Sequence, residues 1–156
     1  MLLKQLAKAV AARLDPPPHG LSFAADYRRK FPNKRIRLIF DVGANVGQSV
    51  VEFQRDFPSA VILSFEPDRN SFDILQRVNG RAYNLALSSS PGQLRFDNRS
   101  PVSEVRAIAC DQGDESLPIV SVTTVDQFCS EQNIKHIDLL KIDTEGHDLE
   151  VLSAHP

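Results

Sequence analysis

Three groups of residues have types and spacings suited to chemistry. The first is "DVGANVG", where Asp41 precedes Gly43, Asn45 and Gly47. The second is Glu66, 19 residues past Gly47. The third is "DLLKIDTEGHDLEVL", residues 138–152, which sets Lys141, Asp143, Glu145 and His147 at the end of an apolar run. Glycines after a strand let a backbone approach a ligand closely. An acid about 20 residues further on commonly accepts from ribose hydroxyls. Two carboxylates at a strand end are candidates for a general base that takes a hydroxyl proton.

The spacing narrows the ligand. A dinucleotide fingerprint needs G-x-G-x-x-G to cradle a pyrophosphate at a helix N-terminus, whereas this loop is G-x-x-x-G. A phosphate loop needs G-x-x-x-x-G-K-[ST], and both that spacing and its lysine are missing. Asp41, just before the turn, would repel a phosphate and suits an amine. With Glu66 it implies a nucleoside with a positive or zwitterionic tail and no phosphates, a description that S-adenosyl-L-methionine fits. Lys141, Asp143 and Glu145 are the catalytic candidates. Against them stand plainer roles: an ion pair for Lys141, helix capping for the two acids. Asp143, Glu145 and His147 are also metal-ligand types at short spacing. Strand-to-helix bending would scatter such a set, so no metal is assigned.

These residues need elements to position them. "IRLIFDV" (36–42) reads as a buried strand, and Val50, Phe53 and Phe57 form one face of a helix closed by Pro58. "AVILSFEP" (60–67) is a second strand ending in Glu66. Pro67 and Asp68 start a helix whose inner face is Phe72, Leu75 and Val78, stopped by Asn79-Gly80. "RAYNLAL" (81–87) is a third strand. "SSSPGQLRFDN" reads as a turn into a short strand, "PIVSV" (118–122) as another, with an irregular surface connection between them. Thr124 and Gln127 fit a capping box for "VDQFCSEQN". "HIDLLKID" (136–143) is a fourth core strand, followed by a helix. Alternating strand and helix predicts an α/β fold with a parallel sheet and crossover helices. In such a sheet the first and fourth strands should flank the point where strand order reverses, and ligands bind there.

The chain has 156 residues, net charge −2 with mixed signs, and two cysteines, Cys110 and Cys129, that form neither a zinc pattern nor a disulfide framework. Overall charge offers no footprint for nucleic acid. Leu2, Leu3, Leu6, Val10 and Leu14 recur at helical spacing, with Lys4, Lys8 and Arg13 interrupting every apolar run. This predicts an amphipathic helix ended by Pro16–Pro18, too charged for a signal peptide or a membrane span. Residues 19–35 read as a polar, basic lead-in. The domain division expected is 1–35, then 36–156, in a cytoplasmic protein.

"FDVGANVG", "FEP", "NLALSS", "VTTVDQF" and "IDLLKIDTEGHDLEVL", in this order over residues 36–154, resemble the FkbM family of S-adenosylmethionine-dependent methyltransferases. The resemblance implies a class I methyltransferase fold, Rossmann-like, with strand order 3-2-1-4-5-7-6. It implies methyl transfer to oxygen, on a hydroxyl of a sugar or secondary metabolite. Placed by motif, Asp41, Gly43, Asn45 and Gly47 would form the cofactor loop, and Glu66 would hold the ribose. Asn84 would lie beside the adenosine, with Asp143 and Glu145 near the methyl group and the acceptor.

The match departs from the family in two places. Residues 98–118 fit it loosely, and "EVLSAHP" has Ser153 where the family has the glycine of a Gly-Ala pair followed by three further strands. The expectation is a domain lacking its last strands, with an apolar edge along 137–143 open to self-association. Two rival functions remain at this level. One is a non-catalytic nucleoside-binding or interaction module. The other is an NAD(P)-dependent oxidoreductase, opposed by the missing G-x-G-x-x-G.

Overall fold

The computed structural model describes residues 17–97, 107–109 and 115–153. The amphipathic helix expected over residues 2–14 lies outside them. Two compact units divide between Arg35 and Ile36. Within residues 17–35 the sequence reading missed an element, α1 (Phe23–Lys30). Ser22 caps it by accepting from the Ala25 amide, and Tyr27 lies between Phe23 and Phe31, at ring distances of 6.0 and 5.2 Å. The cap and the i, i+4 aromatic pairs make a helix from a stretch whose composition reads as linker.

In the second unit the apolar runs become β1 (Leu38–Val42), β2 (Val61–Phe65), β3 (Ala82–Tyr83) and, much later, β8 (Leu139–Ile142). They form one parallel sheet in the order β3-β2-β1-β8, with Phe40 opposite both Leu63 and Leu140. This is the 3-2-1-4 order expected, and β1 and β8 flank the reversal point. β1 and β2 are buried on both faces and read as continuous apolar runs, whereas β8 is half-buried along its length. Asp138 fixes the entrance to the β1–β8 pair: its Oδ2 accepts from the Arg37 and Leu38 amides at 2.8 and 3.0 Å.

Helix α2 (Gln48–Asp56) buries Val50 fully, and α3 (Arg69–Val78) buries Leu75. The Asp68 carboxylate caps α3 by accepting from the Ser71 amide at 2.8 Å. Helix α4 (Val125–Glu131) starts at Thr124, whose hydroxyl accepts from the Gln127 amide at 3.0 Å. The reciprocal half of the expected capping box does not form, because the Gln127 amide group donates to Glu131 instead. Phe128 on α4 meets Phe40, Phe65 and Tyr83 edge-on, joining helix to sheet in one aromatic core.

The strand expected over 81–87 is two strands. Beyond β3 the chain turns at Asn84, whose amide group donates to the carbonyls of Glu66 and Pro67, both at 2.9 Å. It then enters β4 (Ala86–Leu87), part of a second sheet. That sheet has the order β4-β7-β5-β6, with β5 (Gly92–Phe96), β6 (Ala107–Ala109) and β7 (Ile119–Thr123). Only β4–β7 is parallel; β7–β5 and β5–β6 are antiparallel. Within the connection read as irregular, β6 is therefore a strand. A short helix, α5 (Asp148–Leu152), follows β8.

Candidate active site

Beyond the carboxyl ends of β1, β2 and β8 lies a cleft of about 660 Å³, within the range of small-molecule sites. Gly43, Asn45, Glu66, Lys141, Asp143 and Glu145 line it, together with Leu85–Leu87, Phe96 and Asp97 from the second sheet. Tertiary folding thus gathers six of the nine residues given a catalytic or cofactor-binding role from sequence. Asp41, Gly47 and Asn84 are not on its wall.

Each of those three has a structural task. Asp41 is wholly buried; its Oδ2 accepts from the Ser49 hydroxyl at 2.6 Å, and its Oδ1 lies 3.1 Å from Lys141 Nζ. The carboxylate expected to meet a ligand amine therefore meets the chain's own ammonium. Gly47 caps α2 at φ +97°, and a Cβ there would come within 3.2 Å of Leu75 on α3. Asn84 is the clamp already described, on the outside of the β2–α3 turn. Gly43 lines the cleft, yet its lack of a side chain serves the fold: a Cβ would fall 2.1 Å from the Asp143 carbonyl oxygen.

Glu66 organises the loop. Its Oε2 accepts from the Asn45 amide and its Oε1 from the Asp68 amide, both at 2.8 Å. Asn45 is left-handed at φ +48°, a conformation that asparagine tolerates better than most residues and that turns its N–H toward Glu66. Glu66 is buried, and burial pushes its carboxyl above the usual carboxylate range, although the two amides pull the other way.

Lys141 lies between three oxygens: Asp41 Oδ1, the Gly43 carbonyl at 3.1 Å, to which it donates, and Asp143 Oδ2 at 3.5 Å. The plain ion-pair reading of this lysine describes its geometry. Asp143 keeps 68% of its side chain exposed in the cleft. Neither it nor Glu145 caps α5 through its side chain. The turn is closed instead by Asp148, which accepts from the Thr144 amide and hydroxyl at 2.8 and 2.6 Å. Those two bonds, the hydroxyl first, hold the Asp148 carboxyl below the usual range. Glu145 is left-handed at φ +53°, a conformation an L-residue occupies only when its surroundings enforce it.

Sequence reasoning missed how His147 is used. It lines the cleft and its Nε2 lies 2.8 Å from the Ser88 hydroxyl, linking the β8 end to the second sheet. Among the described residues no three His, Cys, Asp or Glu side chains gather to hold a metal ion. Among the described residues the cleft wall is acidic: Glu52, Glu66, Asp68, Asp97, Asp143 and Glu145 line it, with Lys141 the one lysine or arginine.

Residues 41–155 match the methyltransferase FkbM domain family, about three quarters of the chain. The chain belongs to the FkbM methyltransferase family. "Methyltransferase sdnD" of Sordaria araneosa is 31% identical over 154 residues, covering 75% of this chain and 60% of its own length. "Methyltransferase 1" of Beauveria bassiana is 28% identical, with 74% of this chain and 57% of its own covered. "Hexuronic acid methyltransferase AglP" of Haloferax volcanii is 26% identical, with 75% and 49% covered. The chain thus spans about half to three fifths of the curated relatives it matches. In this FkbM chain the motif stretches around Gly43 and around Asp143 meet backbone to backbone on the cleft wall.

Proposed function

We propose that the chain is the S-adenosyl-L-methionine-binding part of an O-methyltransferase that acts on a hydroxyl of a sugar or secondary metabolite. The observation that carries this reading is the charge of the cleft. Among the described residues six carboxylates line it, and the one lysine there is already matched by Asp41 and Asp143. Such a wall repels phosphates and favours a ligand with a sulfonium and an ammonium group. Glu66 supports a ribose-holding role: it lines the cleft, and each of its oxygens spends one lone pair on a backbone amide and keeps another.

When bound, S-adenosylmethionine supplies a methyl group already activated by its positive sulfur. The chain's own task is to align an acceptor oxygen and receive its proton. Asp143 supports the second role: its carboxylate is open to the cleft, while Lys141 holds the strand end beneath it. Glu145, two residues further along the turn, widens the acidic surface that an acceptor would meet. The hexuronic acid named for AglP supports a sugar-type acceptor.

Calorimetry with S-adenosylhomocysteine and, separately, with NAD tests the reading. Binding of the first, weakened about tenfold or more by Glu66→Ala, is the expected result. Binding of NAD with S-adenosylhomocysteine ignored would refute it.

A further inference from the structure

Charge is segregated along this chain. Residues 1–35 hold eight Lys or Arg and two Asp or Glu, whereas residues 36–156 hold ten and eighteen. A net charge of −2 conceals a strongly cationic first unit beside an acidic second one. Within the first unit Arg28, Lys30, Lys34 and Arg35 are all exposed. Arg29 is half-buried and drawn to Asp26 and the Pro17 carbonyl.

Apolar side chains stand open among these cations. Leu21 is 75% exposed, Phe23 53% and Phe31 38%. The ammonium groups of Lys30 and Lys34 lie 5.9 and 5.6 Å from the Phe31 ring centroid. Exposed leucine and phenylalanine beside lysine and arginine are the composition of a surface that rests in the headgroup region of a bilayer, aromatic and aliphatic groups inward and cations on anionic lipids. The sequence before this patch continues the pattern, since Lys4, Lys8 and Arg13 are interleaved with leucines. No helix among the described residues is long and apolar enough to cross a membrane, so the contact would be with the surface.

We propose that residues 17–35 form a docking surface for a bilayer bearing anionic headgroups. Charge complementarity argues for an anionic partner, and the open Leu21, Phe23 and Phe31 argue for lipid over a polyanion that offers charge alone. The inference does not use the methyl-transfer reading.

Co-sedimentation of the full chain with vesicles tests it. Vesicles of phosphatidylcholine with roughly one third phosphatidylglycerol should carry the protein down, and pure phosphatidylcholine should not. Arg28→Glu with Lys30→Glu should weaken binding at least about tenfold, whereas the matched pair Arg77→Glu with Lys135→Glu, exposed in the second unit, should leave most of it. Phe31→Ser should weaken the binding that survives in high salt, where charge is screened. Three results would overturn the proposal: no sedimentation with anionic vesicles, equal loss from both charge-reversal pairs, or tight binding to a single-stranded oligonucleotide without binding to vesicles.

Discussion

Replacing Gly43 by alanine sets a methyl carbon 2.1 Å from the Asp143 carbonyl oxygen and 2.8 Å from its carbon. Ordinary carbon–oxygen contacts begin near ~3.3 Å, so about 1 Å must be found. Nothing nearby yields easily, because both partners are backbone. Val42 is in register with Ile142, and the Asp143 amide donates to the Val42 carbonyl at 3.0 Å. Parting the strand ends would sacrifice that hydrogen bond, about 1 kcal/mol. Alanine at φ +72° adds about 1 kcal/mol, and the residual overlap about 1–3 kcal/mol. The sum, about 3–5 kcal/mol, corresponds to a fall of roughly 10 °C or more in melting temperature for a unit of this size. Gly47→Ala supplies the graded comparison: φ is +97°, but the nearest atoms, at 3.2 and 3.3 Å, are side-chain carbons of Leu75 and Val78 that can shift. Gly80→Ala, with nothing within 4 Å, is the control. Thermal melts followed by circular dichroism should rank the losses Gly43 first, Gly47 second and Gly80 last. A Gly43→Ala protein that melts within about 2 °C of the parent would show that the two loops are not packed backbone to backbone.

Glu66 has its carboxyl raised above 4.5 by burial, so as pH climbs from that value the unfolded chain ionises first and the residue's contribution to stability falls. Denaturant titrations across this window should show that decline in the parent and its loss in Glu66→Gln. Asp138 behaves with the opposite sign: burial opposes its charge, but the Arg37 and Leu38 amides outweigh that and hold its carboxyl below 3.8. Its contribution is present above that value and is lost as pH falls through the lowered one, so Asp138→Ala should cost about 1–2 kcal/mol at neutral pH and progressively less in acid. Asp143→Asn should leave S-adenosylhomocysteine affinity within about threefold while cutting turnover about a hundredfold; unchanged turnover on a sugar hydroxyl acceptor removes Asp143 from the proton-accepting role. The outer edge of β8 is unpaired among the described residues, and on the helix that follows it Leu149 and Leu152 are 74% and 64% exposed. Self-association through that edge should appear in sedimentation velocity and diminish in a Leu149→Ser, Leu152→Ser protein.

Local signals were enough to place most elements. Apolar runs interrupted by glycine and proline mark β1, β2 and β8, and the Asp68 and Thr124 caps mark where α3 and α4 begin, because these features act within a few residues. Where a segment's state depends on a distant partner, local reading fails. "RAYNLAL" has the composition of one strand, yet it divides at Asn84 because that side chain finds the Glu66 and Pro67 carbonyls, 18 and 17 residues away. β6 likewise exists through its pairing with β5. Residues 19–35 read as a polar, basic lead-in because charge dominates their composition, although Ser22 is a cap signal that an i, i+4 reading of Phe23, Tyr27 and Phe31 would have strengthened.

At the site the same boundary holds. The sequence alone determined the family, the 3-2-1-4 order to expect, and the residue types at the strand ends, since spacing and chemical type are properties of the chain itself. Only the tertiary structure decided which of those residues face the cleft. Asp41 and Lys141 are 100 positions apart, and no local rule says that one will neutralise the other. Burial settles the matter: a carboxylate enclosed beside β8 must be paired, and the lysine on the neighbouring strand is the partner within reach. The glycine of the opening motif changes meaning for the same reason. Its missing side chain makes room for the Asp143 carbonyl, a requirement that appears only once two strands nearly a hundred residues apart lie side by side.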